Sequence, residues 1–118
     1  MFRCPTELTL NVLGGKWNTV LLSFLTQRSC RHAELRILMP NLTNKRLNKQ
    51  LGNLIRAGLV TKRMAPGAKR IEIYVPTPRM HSLSALLCEL YSWGKSHAAE
   101  FGAETEDPLN KLNEVITP

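Results

Sequence analysis

The sequence predicts a mainly α-helical (α+β) domain with one small β-hairpin. Apolar residues recur at the three- and four-residue spacing of amphipathic helices over most of the chain. Two short runs with β character, residues 59–64 and 71–75, flank a turn at Pro66-Gly67 and predict the hairpin. Just before them, a turn at Pro40 separates two predicted helices. A helix-turn-helix that is followed by a hairpin is a winged helix, with the hairpin as its wing.

The first two helices are predicted from their apolar spacing and from the two glycines between them. Residues 7–13 form a helix that turns Leu8 and Val12 inward, and the glycines end it. The second helix covers residues 16–26. Its apolar stripe consists of Trp17, Val20, Leu21, Phe24 and Leu25. Residues 27–30 are predicted to be a polar link.

The next two helices form the helix-turn-helix. The first covers residues 31–39 and ends at Pro40, because proline disfavours helical geometry in the residue before it. Thr43 is a good N-cap for the second helix, residues 43–57, which ends at Gly58. The apolar stripe of this second helix consists of Leu47, Leu51, Leu54 and Ile55.

The exposed side of the second helix and the hairpin carry the candidates for nucleic-acid contact. A recognition helix presents its first turns to base edges, where asparagine can pair with adenine, and arginine or lysine with guanine. The helix candidates are Asn44, Lys45, Arg46, Asn48 and Lys49. For each of these the alternative is a phosphate contact or a solvated charge. The hairpin candidates for the phosphate backbone or the minor groove are Lys62, Arg63, Lys69 and Arg70.

The charge distribution supports duplex DNA as the partner. Between positions 28 and 79 the chain has twelve Lys and Arg against two Glu, a net charge of +10, whereas the whole chain carries +7. From Glu100 onward acidic residues dominate, which a phosphate backbone would repel. The alternative is an ordinary solvated basic surface. The coincidence of the charges with the helix-turn-helix pattern favours the DNA interpretation.

The last predicted helix has more apolar surface than a small domain can cover. Thr77-Pro78 provides an N-cap and a proline at the first helical position, and the helix is predicted over residues 79–100. Its apolar face comprises Leu83, Leu86, Leu87, Leu90, Tyr91, Trp93 and Gly94. We interpret the surplus as a surface for a homodimer. The alternative is that this helix closes the core of the monomer.

The length of 118 residues predicts one domain, residues 1–101, followed by an acidic tail, residues 102–118. The tail is expected to be loose or to dock as a short helix. No apolar run approaches the ~20 residues that cross a bilayer, and residues 1–5 do not resemble a signal peptide. We therefore expect a cytoplasmic protein without a membrane partner, whose three cysteines are thiols.

An ordered set of residues resembles the HxlR-type transcriptional regulators over about residues 4–97. The set comprises Cys4-Pro5, Leu13-Gly14-Gly15-Lys16-Trp17, Arg31, Glu34-Leu35-Arg36, Leu42-Thr43, Leu47, Leu51, Leu54, Ala57-Gly58-Leu59-Val60, Tyr74, Thr77-Pro78 and Trp93-Gly94. The resemblance implies a dimeric winged-helix regulator that binds DNA through the helix at Thr43 and the wing. It also implies a dimer interface that is built from the N- and C-terminal helices.

The chain departs from the family pattern at three positions. His32 stands where an aromatic residue, usually Phe, follows the arginine. Gly52 stands in the recognition helix where a charged residue is usual, and Pro76 interrupts the end of a strand. These departures leave the fold intact but put the family's pattern of base contacts in question.

Cys4 is the candidate for redox sensing. The resemblance implies this role, because some family members sense electrophiles or oxidants through the matching cysteine. Cys4 lies beside Arg3 and just before the first helix, and both a cation and a helix N-terminus favour thiolate. The alternative is an unreactive terminal cysteine. Cys88 is expected in the core, and Cys30 is either a second exposed thiol or a boundary residue.

Other functions are weaker predictions. A metal-responsive regulator would use Cys30 with His32, or His81 with Cys88, but the second pair is ~10 Å apart along one predicted helix and no tight ligand cluster is evident. A winged helix that only contacts other proteins is a further alternative. No motif of an enzyme or of a cofactor site is found, so we predict neither. The effector, if it is a small molecule, is not identified by the sequence.

Overall fold

The computed structural model describes residues 1–67 and 71–106, apart from the side chain of Lys16. In this part of the chain the helices are α1 (Pro5–Leu13), α2 (Lys16–Gln27), α3 (His32–Leu38), α4 (Asn44–Arg56), α5 (Pro78–Ser82) and α6 (Ser84–His97). A 3₁₀ turn, Ala98–Phe101, follows α6, and the strands are β1 (Cys30–Arg31), β2 (Val60–Met64) and β3 (Glu72–Pro76). The predicted fold class, mainly α with a small hairpin, is confirmed.

The core is built around α2 and the inner stripe of α4. On α2, Leu21, Leu22 and Leu25 are completely buried, together with Phe24. The stripe of α4 that faces them comprises Leu47, Leu51 and Leu54, as its spacing predicts. Burial of each such side chain contributes roughly 1.5–3 kcal/mol of hydrophobic free energy. This packing fixes the inner side of α4 and leaves its polar side in solvent.

The sheet contains one strand that the sequence did not predict. Its order is β1-β3-β2, with antiparallel pairing throughout, and Cys30 pairs with Tyr74 in the register of β1 and β3. The interpretation of residues 27–30 as a polar link, and of Arg31 as helical, was therefore wrong at Cys30 and Arg31. A strand of two residues has no period to detect, and its partner lies more than 40 positions away in the wing.

Local hydrogen bonds define the turn between α3 and α4. The backbone N–H of Arg31 donates to Glu34 Oε1 at 2.8 Å, which closes the first turn of α3. Arg36 Nη1 donates to the carbonyl oxygen of Leu42 at 3.3 Å, across the turn. The N-cap predicted at Thr43 is confirmed, because its Oγ1 accepts the backbone N–H of Arg46 at 3.1 Å.

The C-terminal end of α4 is joined directly to the start of α5. Gly58 follows α4 with φ of 74°, in the left-handed region. Its carbonyl oxygen accepts a hydrogen bond from Thr77 Oγ1 at 2.6 Å, and the carbonyl oxygen of Ala57 accepts one from Arg79 Nη1 at 2.7 Å. The two carbonyls that directly follow α4 are thereby satisfied by side chains from the far side of the hairpin.

The single helix predicted over residues 79–100 is instead two helices with a bend at Leu83. Ser82 Oγ donates to the carbonyl oxygen of Arg79 at 2.5 Å, and such a bond competes with regular helical pairing. Met80, in α5, is fully buried. Leu83, at the bend, and Leu87, in α6, pack against the core. The apolar spacing continues through the bend, so it did not reveal the break.

Some predicted positions differ or lie outside the described residues. Leu8, expected to point inward, is 47% exposed, because α1 contacts the core only near its C-terminal end, where Leu13 is buried. Ile55, assigned to the apolar stripe of α4, is 37% exposed. Lys69, Arg70 and residues 107–118, which include most of the predicted acidic tail, lie outside the described residues. Among the helices of the described chain, none has both the length and the apolar character needed to span a membrane.

Replacement of Gly58 by alanine is expected to destabilise the fold. A Cβ there would lie 2.8 Å from Arg79 Nη1 on a backbone with φ of +74°. We expect a loss of about 1–2 kcal/mol in the free energy of unfolding, measured by urea titration at fixed protein concentration. Gly52→Ala is the matched control, since its Cβ would make only an ordinary 3.5 Å contact with Arg56 Nη1. That change should stabilise α4 by roughly 0.5–1 kcal/mol. Equal effects of the two changes would contradict this account of the α4–α5 junction.

Candidate nucleic-acid interface

The five candidate side chains at the start of α4 are all exposed, but they do not form one cluster. Asn44, Lys45, Arg46, Asn48 and Lys49 have their side chains in solvent. Asn48 borders an open groove of about 1050 Å³ between α4 and the wing, whereas Lys49 borders a separate cleft against the turn between α1 and α2. The exposed side of α4 therefore has a wing-facing edge and an opposite edge, with the helix axis between them.

The groove between α4 and the wing combines cationic and polar side chains with an apolar floor. Arg31, His32 and Lys62 line it together with Asn48. Leu51, Gly52, Ile55 and Met64 provide the floor. Because Gly52 lacks a side chain, the groove stays open along the middle of α4. A groove with cations at its rim is suited to the sugar-phosphate backbone that runs between two DNA grooves.

The two described cations of the wing differ in whether they form an ion pair. Lys62 and Arg63 are both exposed on β2. Lys62 Nζ lies 3.1 Å from Glu72 Oε2, and this hydrogen bond raises the pKa of Lys62. An exposed pair of this kind contributes little to stability, so a phosphate could replace the carboxylate at small cost. Among the two described wing candidates, Arg63 has no ion pair with a described carboxylate.

Two residues of the groove were not predicted as site residues. Arg31 is exposed at the rim, where its Nε lies 3.4 Å from Glu34 Oε1. His32 is half-buried, and its Nε2 lies 2.8 Å from Asn48 Oδ1. The signal that could have identified His32 was its polar character at a position that is usually aromatic in the resembling family. Nothing in the spacing of residues indicates that its partner, Asn48, lies on α4.

Cys4 occupies a position that favours the thiolate. It is the N-cap of α1, which begins at Pro5, and it is exposed. The backbone N–H groups of Glu7 and Thr6 at the start of α1, in that order of effect, hold the pKa of Cys4 below its ordinary value. Arg3, expected to act as the nearby cation, instead pairs with Glu7, with Nε 3.4 Å from Oε2. The N-terminal end of α1, rather than the cation, lowers the pKa of this thiol.

The structure decides between the two alternatives for Cys30 and contradicts the expectation for Cys88. Cys30, the first residue of β1, is completely buried, so the interpretation as an exposed second thiol is wrong, and burial together with the Glu34 charge raises its pKa to about 11. Cys88, expected in the core, is exposed on α6. Leu83 and Leu87 pack against the core. Cys88 follows Leu87 and lines a cleft between α6 and α2.

The residue pairs considered for a metal do not form a described site. Within residues 1–67 and 71–106, no three His, Cys, Asp or Glu side chains converge to a metal-binding geometry. His81 and Cys88 were assumed to share one helix, but they lie on α5 and α6, on either side of the bend. Cys30 is buried, whereas His32 points to Asn48.

A model of the HxlR-like helix-turn-helix family matches residues 12–101. The chain belongs to this family. It is 37% identical over 105 residues to YkvN of Bacillus subtilis, an HTH-type transcriptional regulator, with 89% of both chains covered. It is 35% identical over 117 residues to a second such regulator of that organism, YtcD, with 98% of this chain and 93% of YtcD covered. This HxlR-type protein is accordingly a DNA-binding transcriptional regulator, as the resemblance predicted.

Solved structures of related regulators share its winged-helix fold. The redox regulator HypR in its reduced form has a TM-score of 0.74 and 29% identity, and covers 80% of this chain and 93% of its own. The structure of YtcD has a TM-score of 0.72 and 36% identity, with 80% and 96% covered. Reduced YodB of Bacillus subtilis has a TM-score of 0.70 and 26% identity, with 79% and 92% covered.

The exposed thiol of Cys4 and the buried thiol of Cys30 are expected to react with iodoacetamide at very different rates. Cys4 should react readily near neutral pH, and its rate should rise with pH around a midpoint below that of a free cysteine derivative, because its pKa is lowered. Cys30 should stay unmodified until denaturant exposes it, because it is buried and its pKa is about 11. Peptide mass spectrometry after timed quenching measures each site. Labelling of Cys30 as fast as Cys4 in the folded protein would overturn these assignments.

Proposed function

We propose that the protein is a sequence-specific DNA-binding regulator that acts as a homodimer and responds to oxidants or electrophiles through Cys4. The observation that carries the DNA-binding mode is the exposed, basic start of α4 beside the basic wing, across one open groove. In this mode α4 enters the major groove, and the wing contacts the adjoining backbone or minor groove.

The proposal assigns different tasks to α4 and the wing. Asn44, Lys45, Arg46, Asn48 and Lys49 are exposed in the first turns of α4 and are proposed to contact base edges. Lys62 and Arg63, with Lys69 and Arg70 outside the described residues, are proposed to contact the backbone. Base contacts discriminate among sequences, whereas phosphate contacts add affinity for any duplex.

The homodimer is proposed from apolar side chains that the described chain leaves in solvent. On α6 no residue is fully buried, and Leu90 and Trp93 are 46% and 58% exposed. Phe101 continues this apolar surface at 71% exposure, and its ring lies 6.1 Å from that of Trp93. Leu8 and Leu10 are similarly exposed on α1. Contiguous apolar surface of this kind is typical of an interface between subunits.

The sensory role is proposed from the activated thiol and from the related regulators. Cys4 is exposed, and its pKa is lowered by the helix N-terminus. HypR, which shares this fold at 29% identity, is a redox regulator. With a quinone, the Cys4 sulfur would form a C–S bond, and the ring would gain the proton and become a hydroquinone. With diamide, the Cys4 thiols of the two subunits would lose two protons and two electrons to the reagent and form one S–S bond between the subunits.

Substitutions in α4 and in the wing should have different effects on DNA binding. Arg46→Ala should cost roughly 1–3 kcal/mol on a DNA site selected from a random pool and less on random duplex. Arg63→Ala should weaken both to the same extent and reduce the slope of log affinity against log salt by about one. Arg3→Ala, which removes a charge away from α4 and the wing, is the control. Equal losses on selected and random DNA for Arg46→Ala would show that this residue does not read bases.

A charge on the exposed face of α6 should dissociate the dimer without unfolding the subunit. Leu90→Glu places a carboxylate where the proposed interface excludes water, and because Leu90 is 46% exposed in the subunit, the fold should tolerate it. Analytical ultracentrifugation at micromolar concentration should show a dimer for the wild type and a monomer for Leu90→Glu. Ala85→Glu, on another exposed face of α6, is the matched control. A monomeric wild type in low salt would exclude the dimer.

Cys4→Ser should preserve DNA binding but abolish its response to diamide or a quinone. Serine keeps the size of the side chain and cannot form a C–S or S–S bond through sulfur. A change of only ~1.4 kcal/mol between DNA-competent and incompetent arrangements alters affinity tenfold. Electrophoretic mobility shift with and without reagent measures the response, and Cys88→Ser is the control. Loss of DNA binding by oxidised Cys4→Ser would move the switch to Cys88, because Cys30 is buried.

A further inference from the structure

A histidine on α3 holds one of the proposed base-reading side chains of α4. His32 Nε2 lies 2.8 Å from Asn48 Oδ1, although the two residues are 16 positions apart. A carboxamide oxygen can only accept, so the hydrogen lies on Nε2. The contact is at the rim of the groove between α4 and the wing, where Asn48 is exposed. It is therefore on the surface that the proposed function places against DNA.

The position of the histidine ring is set by the sheet and not by α4. His32 is the first residue of α3, directly after β1, and Arg31 pairs with Ile73 of β3. The His32 ring also lies 6.3 Å from the ring of Tyr74, which is buried, at an interplanar angle of 46°. His32 is half-buried and has this ring contact besides the one with α4, whereas Asn48 is exposed, so the hydrogen bond orients the amide of Asn48 rather than the ring.

The orientation decides which hydrogen-bonding groups Asn48 presents to DNA. A free asparagine can turn either its oxygen or its NH₂ group outward, and bidentate recognition of adenine uses both, the oxygen for N6–H and the NH₂ for N7. In this structure the oxygen is engaged by His32. The NH₂ group, which carries two donors, is left for the solvent side. Guanine presents two acceptors, N7 and O6, at the major-groove edge and so matches a group that only donates.

We propose that His32 is a positioning residue that sets the base preference of Asn48, so that this asparagine selects guanine over adenine at its contact. The inference rests on the proposed function, because it requires α4 to read DNA. It also replaces the adenine contact that the asparagine alone would predict. The family-typical phenylalanine cannot donate a hydrogen bond at this position, so the preference belongs to the histidine of this chain.

The test is selection from a pool of randomised duplex DNA, followed by sequencing, for four forms of the full-length protein. The forms are wild type, His32→Phe, Asn48→Ala and the double variant. In the wild type one position of each half-site should favour guanine over adenine, by roughly tenfold. His32→Phe keeps an aromatic ring beside Tyr74 and frees the Asn48 oxygen, so the preference there should move toward adenine. Asn48→Ala should lose the preference, and the double variant should match Asn48→Ala.

Further variants and measurements separate positioning from structure. His32→Gln, whose amide can donate, should restore part of the guanine preference. The midpoint of thermal unfolding should be the same for wild type and His32→Phe, because the aromatic ring beside Tyr74 is kept. If the wild type enriches a sequence but His32→Phe leaves every base preference unchanged, the inference is overturned and the proposed function stands. If the wild type enriches no sequence at all, base reading by α4 fails, and this inference fails with it.

Discussion

The junction at the end of α4 is the constraint on which the arrangement of the functional elements depends. At this point Gly58 turns the chain with a positive φ, and Thr77 and Arg79 donate hydrogen bonds to the two carbonyls that directly follow the helix. The backbone N–H of Thr77 also donates to the carbonyl oxygen of Leu59 at 3.0 Å. The recognition helix, the wing and the C-terminal helices therefore meet within a few residues. Because the bonds involve backbone carbonyls, α4 has little freedom to tilt relative to α5 without leaving polar groups unsatisfied.

The parts of the fold that the sequence predicted are those with strong local signals. Thr43 predicted the start of α4, Gly58 predicted its end, and alternation predicted the wing, because capping and turn chemistry act over a few residues. The errors have non-local causes. Strand β1 exists only because β3 is beside it. The bend at Leu83 depends on a serine hydroxyl that competes for a backbone carbonyl, while the apolar spacing runs through it unchanged. The exposure of Cys88 follows from which edge of α6 packs on the core, and spacing alone does not specify that edge when a helix has apolar residues on two sides.

In the candidate interface, too, local patterns predicted correctly, whereas contacts between elements distant in the sequence were missed. Helical geometry was sufficient to place the polar side of α4 in solvent, so each predicted residue there is exposed. The count of cations overstated what is free to bind phosphate, because Glu72 pairs with Lys62 across the wing and Glu34 pairs with Arg31 at the rim. The Lys62–Glu72 pair cannot be inferred from charge spacing without the register of the strands, whereas Arg31 and Glu34 are three positions apart at the start of α3. Both pairs lie at the surface and are weak. They therefore lower the positive potential of the groove but do not prevent the cations from binding phosphate.

The proposed switch and the proposed dimer are physically compatible, because both involve exposed positions outside α3 and α4. Cys4 caps α1, and α1 contacts the core mainly through Leu13 at its other end. A modification at Cys4 is therefore expected to have little effect on the packed interior, to which α2 and α4 both contribute. Its effect would fall on surfaces that α1 and α6 leave exposed, which are the proposed dimer contacts. Since α4 is held to α5 by the Thr77 and Arg79 hydrogen bonds, a rotation of one subunit against the other would carry its recognition helix with it. Two α4 helices bound in successive major grooves tolerate little change in their separation, so a small rotation at the interface is enough to alter DNA affinity.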